Sequence, residues 1–266
     1  MATAKDYTAQ ITADEVQIRE WVNTFHRQGY LFLEEVLPLD WCEELRHDLD
    51  RAIENEEEKK TGEIHLVHRM FEHSHANLKL FGMEPIVTFA ETIISPECHV
   101  IHNNSFLTPP GGGISGWHQD DPPHYVVTDG EPPKNVHLPV LFFTVNYYLT
   151  DVTEAEHDGT EVIPGSHLFG KAPPSRDLSG TEWEVMAQPN FGKAGSLVMF
   201  NNQVWHRGGT NRGTRNRYIT QVTYARRIIG HKYYPFMNYT MPEHAYCDAD
   251  ERLRRLLGFL PHGTYG

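Results

Sequence analysis

At 266 residues, with 39% hydrophobic and 22% charged side chains, the chain can build one globular domain with a substantial core. Its net charge of −13 argues against nucleic acid or an anionic membrane as a general partner, because both demand clustered cations, although a local patch leaves an anionic small substrate open. No apolar run approaches a membrane span and no basic-then-apolar leader is visible, while Cys42, Cys98 and Cys247 form neither a disulfide framework nor a metal pattern, so a cytoplasmic protein with reduced thiols is expected.

The front of the chain, residues 12–60, reads as helical. Thr12-Ala13-Asp14-Glu15 has the form of a capping box, and Ile18, Trp21, Val22 and Phe25 follow on one helical face, with Gly29 as the stop. Residues 30–36 read as a short strand. After Pro38 a second helix carries Leu45, Leu49, Ala52 and Ile53 and ends in the charged run Glu54 to Lys60, read as a solvated face and loop. His65, His68, His73 and His75 lack the tight spacing of a zinc site.

From Cys98 to about residue 226 the texture changes to short apolar strands broken by Gly and Pro. The expected strands are 98–107, 117–120, 140–149, 160–163, 195–200 and 217–225. Many short strands with such turns suggest a sandwich or barrel, of which the jelly roll is one form. Two long loops, 121–139 and 168–194, interrupt the pattern; the first leaves directly from Asp120 and is a candidate lid. Near the C-terminus, about 248–260, Asp248 and Glu251 are expected to cap a helix bearing Leu253, Leu256, Leu257 and Leu260. No internal repeat is visible, and a single domain over 1–266 is expected.

The chemistry concentrates in Trp117-His118-Gln119-Asp120. On an extended segment His118 and Asp120 point to one side, because side chains alternate with period 2. With 17 His and 36 acids in the chain, this triplet alone carries little weight. A second histidine from a distant strand, His206, would complete the two-His, one-carboxylate set that caps one face of iron(II) and leaves three positions open. Arg217, eleven residues after His206, opens a strand on which it shares a face with Ile219, Gln221 and Thr223. If that face is inward, the cation needs a carboxylate, which a dicarboxylic co-substrate would supply. Trp117 and Trp205, adjacent to the candidate ligands, alternate to the opposite side and are expected to pack.

The ordered set Trp117-His118-Gln119-Asp120, Pro164-Gly165-Ser166-His167, and His206 with Gly208, Gly209, Asn211 and Arg217 resembles the phytanoyl-CoA dioxygenase family of iron(II)/2-oxoglutarate oxygenases. Gly29-Tyr30-Leu31-Phe32-Leu33 resembles that family's opening, so the likeness spans about residues 12–226. The resemblance implies a mainly β fold with flanking helices around a double-stranded β-helix (jelly-roll, cupin-like) core. It implies iron held by His118, Asp120 and His206, 2-oxoglutarate anchored by Arg217, and O2 as oxidant. The expected reaction is hydroxylation of a small-molecule or acyl substrate, with release of succinate and CO2. Iron halogenases similar to this family carry a small residue in place of the carboxylate, so an intact Asp120 favours hydroxylation or a related oxidation.

Asn146, polar on an apolar strand, is read either as a 2-oxoglutarate contact or as an ordinary core hydrogen bond. The step from His206 favours Arg217 over Arg215 as the anchor, and His167 belongs to a structural turn. Two other readings stand beside the oxygenase. One is a jelly-roll hydrolase or isomerase using the same His/Asp/His site without 2-oxoglutarate, which leaves Arg217 without a task. The other is a binding or sensor protein with a degenerate site, against which all three ligands and the arginine are present. Fold alone does not decide among them. The substrate and the oligomeric state are not legible.

Overall fold

The computed structural model describes residues 7–55, 64–128, 131, 134, 137–154, 159–232 and 239–259. Helices α1 (Glu15–Gln28) and α2 (Leu39–Asn55) flank strand β1 (Tyr30–Leu33). Strand β2 (His65–His68), helices α3 (His75–Lys79) and α4 (Ile86–Ile93), and the long strand β3 (His99–Thr108) follow. Then come β4 (Phe142–Tyr148), β5 (Thr160–Val162), α5 (Glu182–Met186), β6 (Gln188–Asn190), β7 (Leu197–Asn201), β8 (His206–Gly208), β9 (Arg217–Ala225) and α6 (Glu251–Leu256).

The strands form two antiparallel sheets that are not closed into a barrel. The larger has six strands in the order β1-β7-β4-β9-β3-β2, and the smaller has three, β6-β5-β8. This is the mainly β jelly-roll architecture with flanking helices. Period-2 alternation divides each central strand of the large sheet. Phe143, Val145 and Tyr147 of β4, Leu197 and Met199 of β7, and Val222 and Tyr224 of β9 join the main apolar core. Phe25 of α1, Phe89 of α4 and Phe143 of β4 meet with ring centroids 5.4–5.6 Å apart, which clamps the helices onto that outer face. The opposite face carries Asn104, Asn146, Ile219 and Gln221 and looks toward the small sheet.

Several boundaries differ from the sequence expectation. The first helix is capped by Asp14, whose carboxylate accepts from Gln17 N at 2.9 Å, so Thr12 is not its N-cap. Gly29 ends that helix at φ 79°, and a Cβ there would meet Val204 and His167 at 2.2 and 2.5 Å, so the stop also requires glycine for space. The C-terminal helix is capped by Asp250, which accepts from Leu253 N at 2.7 Å, and not by Asp248 or Glu251. Leu260 and the end of the charged run, residues 56–60, lie outside the described residues.

Trp117 to Asp120, expected as a strand, makes a single antiparallel bridge, His118 opposite His206. Short β8 and β6 and the helices α3 and α4 were not expected; α4 buries Ile86, Val87, Phe89, Ala90 and Ile93 and keeps Thr88, Glu91 and Thr92 together on its other side. The second long loop holds α5 and β6. Cys42 and Cys98 are buried free thiols, pushed up to about 12 and about 11 chiefly by burial. Among the described residues no helix is long and apolar enough to cross a membrane.

Candidate metal centre and its cavity

His118 and His206 face each other across the bridge, with His118 N donating to His206 O at 3.0 Å and His206 N to His118 O at 2.8 Å. Two residues on, Asp120 N donates to Asn202 O at 3.0 Å, which keeps the segment extended and turns Asp120 to the same side as His118. The two imidazole centroids lie 4.3 Å apart. Asp120 Oδ1 sits 3.4 Å from His206 Nε2 and 3.8 Å from His118 Nε2. Among the described residues these three form the single group of His, Cys, Asp or Glu whose ligand atoms converge closely enough for a metal ion, all within 4.8 Å. The four N-terminal histidines do not form such a group, and His68 Nδ1 instead faces Asn104 Oδ1 at 3.2 Å.

The donors fit a divalent metal in protonation as well as position. His118 Nδ1 lies 2.8 Å from Gly116 O and His206 Nδ1 lies 2.8 Å from Val204 O. A carbonyl only accepts, so each Nδ1 carries a proton, and in the neutral ring Nε2 keeps its lone pair for a metal. Burial, and then the neighbouring His206, lowers the pKa of His118, which favours the neutral ring. Burial alone would raise the Asp120 carboxyl, but His206, then Lys232 and His118, more than offset it and hold it below the usual range. Its side chain is 24% exposed although the residue as a whole is open to solvent. Neutral imidazoles and an ionised carboxylate are the forms that ligate.

Asn202 escaped the sequence reading. Its Nδ2 donates to Asp120 Oδ2 at 2.5 Å, which occupies one carboxylate oxygen and leaves Oδ1 toward the histidines. The polar run Asn201-Asn202-Gln203 just before Val204-Trp205-His206 is the only local hint of it. Gln203 also holds the chain leaving the site: its Nε2 donates to the carbonyls of Asp121 and Pro122, both at 3.3 Å, and its Oε1 accepts from His124 N at 2.9 Å. In the loop that begins there, read from the sequence as a candidate lid, His137 stacks on His26 of α1 with ring centroids 4.3 Å apart. None of its described residues lines the cavity.

Trp117 and Trp205 pack with Ile163 and Leu178 behind the site, as their alternation implies. Arg207 spans this layer: its guanidinium lies 4.8 Å over the Trp117 ring and donates to Glu161 at 2.9 Å. His167 is buried in its turn, with Nε2 3.0 Å from His26 O, so it ties the end of α1 to the small sheet and lies away from the metal donors.

A cavity of about 280 Å³ opens between the sheets. It is lined by His118, Asp120 and His206 on one side and by inner-face residues of β3, β4 and β9 on the other. Arg217, 4% exposed, lies in this lining, and its Nη2 donates to Gly209 O at 2.6 Å. Arg215 is not part of the lining. Asn146 lines the cavity, and its amide is engaged within the protein: its Oδ1 accepts from Gln221 Nε2 at 2.7 Å and its Nδ2 reaches Thr160 Oγ1 at 3.4 Å. Thr223, on the same inner face, is taken up by Thr144 at 2.9 Å.

Solved structures share this arrangement of sheets. HygX from Streptomyces hygroscopicus, with nickel, 2-oxoglutarate and hygromycin B bound, superposes with a TM-score of 0.63 at 14% identity, covering 80% of this chain and 89% of its own. The epimerase SnoN in complex with Fe3+, alpha ketoglutarate and nogalamycin RO superposes with a TM-score of 0.64 at 16% identity, covering 86% and 94%. A second SnoN structure is described as a non-heme alpha ketoglutarate dependent epimerase from nogalamycin biosynthesis; it gives 0.61 at 18% identity, over 80% and 82%. At such identities these show the fold. No match is found among curated proteins. The sequence profile of the phytanoyl-CoA dioxygenase (PhyH) family matches residues 25–219, which is most of the chain and includes every residue of the His/Asp/His cluster, and the chain belongs to that family.

Proposed function

We propose that this protein is an iron(II)- and 2-oxoglutarate-dependent oxygenase acting on a small molecule. The observation that carries the reading is the convergence of His118, Asp120 and His206 on one wall of a cavity whose lining also contains the buried Arg217. In this reading the three residues hold the metal, and Arg217 receives the distal carboxylate of 2-oxoglutarate, for which a guanidinium fork is suited. Asn146 and its partner Gln221 line the space between. When bound, iron and 2-oxoglutarate together supply dioxygen-driven oxidation of a substrate C–H bond, with succinate and CO2 as by-products.

The chain's own residues bind, orient and exclude water. Gly116 O and Val204 O hold the ligand tautomers, Asn202 holds one Asp120 oxygen, and the packed tryptophan layer closes the back of the site. Family membership and the intact Asp120 favour hydroxylation as the outcome. The description of SnoN as an alpha ketoglutarate dependent epimerase favours inversion at a carbon centre as a second outcome of the same oxidation. A hydrolase that dispenses with 2-oxoglutarate leaves a buried arginine in the cavity with no task.

The test is an anaerobic optical titration of iron(II)-loaded protein with 2-oxoglutarate. A metal-to-ligand charge-transfer band is expected, absent in His206→Ala. Arg217→Ala should retain iron and weaken 2-oxoglutarate binding by about 2 kcal/mol or more, roughly thirtyfold, because truncating one member of a buried charge pair strands the other. Iron binding without the band sinks the proposal.

A further inference from the structure

The inner face of the large sheet contains one break in register, and it lies at the opposite end of β3 from Arg217. Strand β3 pairs with β9 through His99 opposite Ala225 and Val100 opposite Tyr224, and then resumes with His102 opposite Thr223. Ile101 is therefore an extra residue, a β-bulge. Val100 and Tyr224 belong to the outer core, so strict alternation would have sent His102 outward as well. The bulge reverses the parity and turns His102 into the cavity lining. Bulges occur where a side chain must be re-aimed near an active site.

The same bulge holds a second group. The Ile101 carbonyl accepts from Lys232 N at 2.9 Å, and this places Lys232 in the lining beside His102. The ammonium lies 5.4 Å from the Phe142 ring centroid and makes no ion pair among the described residues. His102 likewise makes no hydrogen bond through its ring among them. It is neutral, held at about 4 by burial first and then by Lys232. Lys232 is solvent-exposed as well as part of the lining, so its ammonium is accessible to a ligand entering the cavity.

Charge balance sharpens the point, and this step rests on the function proposed above. A divalent metal with Asp120, together with dianionic 2-oxoglutarate and Arg217, sums to zero. Arg207 is answered by Glu161. Lys232 alone leaves a positive charge facing the space where the primary substrate must sit. Between it and Arg217, Leu66, Phe106 and Ile219 stand in one row across β2, β3 and β9, as the registers Leu66–Phe106 and Phe106–Ile219 require. From His102 to Phe106 is four residues, roughly 13 Å at 3.3 Å per residue. A cavity of about 280 Å³ is at the small end for ligand sites and must also admit 2-oxoglutarate.

We propose that Lys232 and His102, presented together by the Ile101 bulge, form the substrate anchor, and that the substrate is a small monocarboxylate with a compact apolar body. The carboxylate meets the ammonium, the imidazole adds a neutral hydrogen bond, and the apolar body lies along the Leu66–Phe106–Ile219 row. Lysine is a point charge without arginine's fork, so a single negative charge suffices.

The test uses protein loaded with nickel and 2-oxoglutarate, probed with hexanoate, octanoate and phenylbutyrate, each paired with its primary amide, in ligand-observed NMR and calorimetric titrations. At least one acid should bind at least tenfold more tightly than its amide. Lys232→Gln should erase that preference while 2-oxoglutarate affinity, read on the iron(II) form by the charge-transfer band, stays unchanged. Equal binding of acids and amides, a preference that survives in Lys232→Gln, or binding of none of the six would overturn the anchor. Failure of 2-oxoglutarate itself to bind would instead sink the oxygenase reading, so the two failures are distinguishable.

Discussion

Along β4, Phe143, Val145 and Tyr147 face the helical layer while Thr144 and Asn146 face the cavity; β9 divides in the same way between Val222 and Tyr224 and the row Arg217, Ile219 and Gln221. On β4 the outer residues Phe143, Val145 and Tyr147 join the apolar core, closed by α1 and α4 and clamped by the Phe25–Phe89–Phe143 contact. The inner face interleaves apolar residues such as Phe106 and Ile219 with polar groups that are either bonded to one another, as Gln221 is to Asn146, or left open to the cavity, as His102 is. One sheet thus separates stability from binding at a spacing of a single residue. What this teaches is that a substitution's consequence depends on its parity in the strand more than on its distance from the metal donors.

Breaking the inner side most completely, His206→Ala should abolish iron(II) binding, measured by equilibrium dialysis, while the urea midpoint of the metal-free protein moves little. A metal-free midpoint that collapses would show the face to be structural as well. Phe143→Ala makes the converse cut. Removing a fully buried ring should cost roughly 3–5 kcal/mol of stability, read from urea unfolding, while the fraction still folded binds iron normally. Lost iron affinity in the folded fraction would mean that the two faces are mechanically coupled.

Asn202→Ala is a milder and more discriminating change. It frees Asp120 Oδ2 without touching a ligand, so iron affinity should fall about 10- to 100-fold, with the protein still folded. Unchanged affinity would show that the backbone bridge alone orients the carboxylate.

The smallest effect concerns pH. Burial holds His167 at about 4, well below an unfolded histidine near 6.5. Between these values the unfolded chain binds a proton that the folded one refuses, so stability rises with pH across that window. The contribution is complete above about 6.5 and is lost as pH falls toward 4, with up to about 3 kcal/mol at stake. His167→Gln should flatten the change in urea midpoint between pH 7 and pH 5. An undiminished slope would assign the acid sensitivity to other histidines such as half-buried His231, also near 4 through desolvation.

Much of the site was readable because it depends on short-range geometry. His118 and Asp120 share a side through alternation alone, and Arg217 opens a strand rich in β-branched and aromatic residues at the expected position. The packing of Trp117 and Trp205 away from the donors followed from the same parity. Caps were less legible. Asp14 and Asp250 were chosen over the nearby Thr12, Asp248 and Glu251, a competition among neighbouring polar groups that the final turn geometry resolves.

The amino-acid sequence by itself determined the family, the mainly β architecture, the three converging donors and the buried arginine, because these rest on residue type, local periodicity and ordered motifs. Only the tertiary structure decided that Asn202 reaches Asp120, that His137 stacks on His26, and that a bulge at Ile101 swings His102 and Lys232 into the cavity. The physical reason is register. A one-residue shift between paired strands reverses which side chains face inward, and that shift is set by cross-strand hydrogen bonds between segments more than a hundred residues apart in the chain.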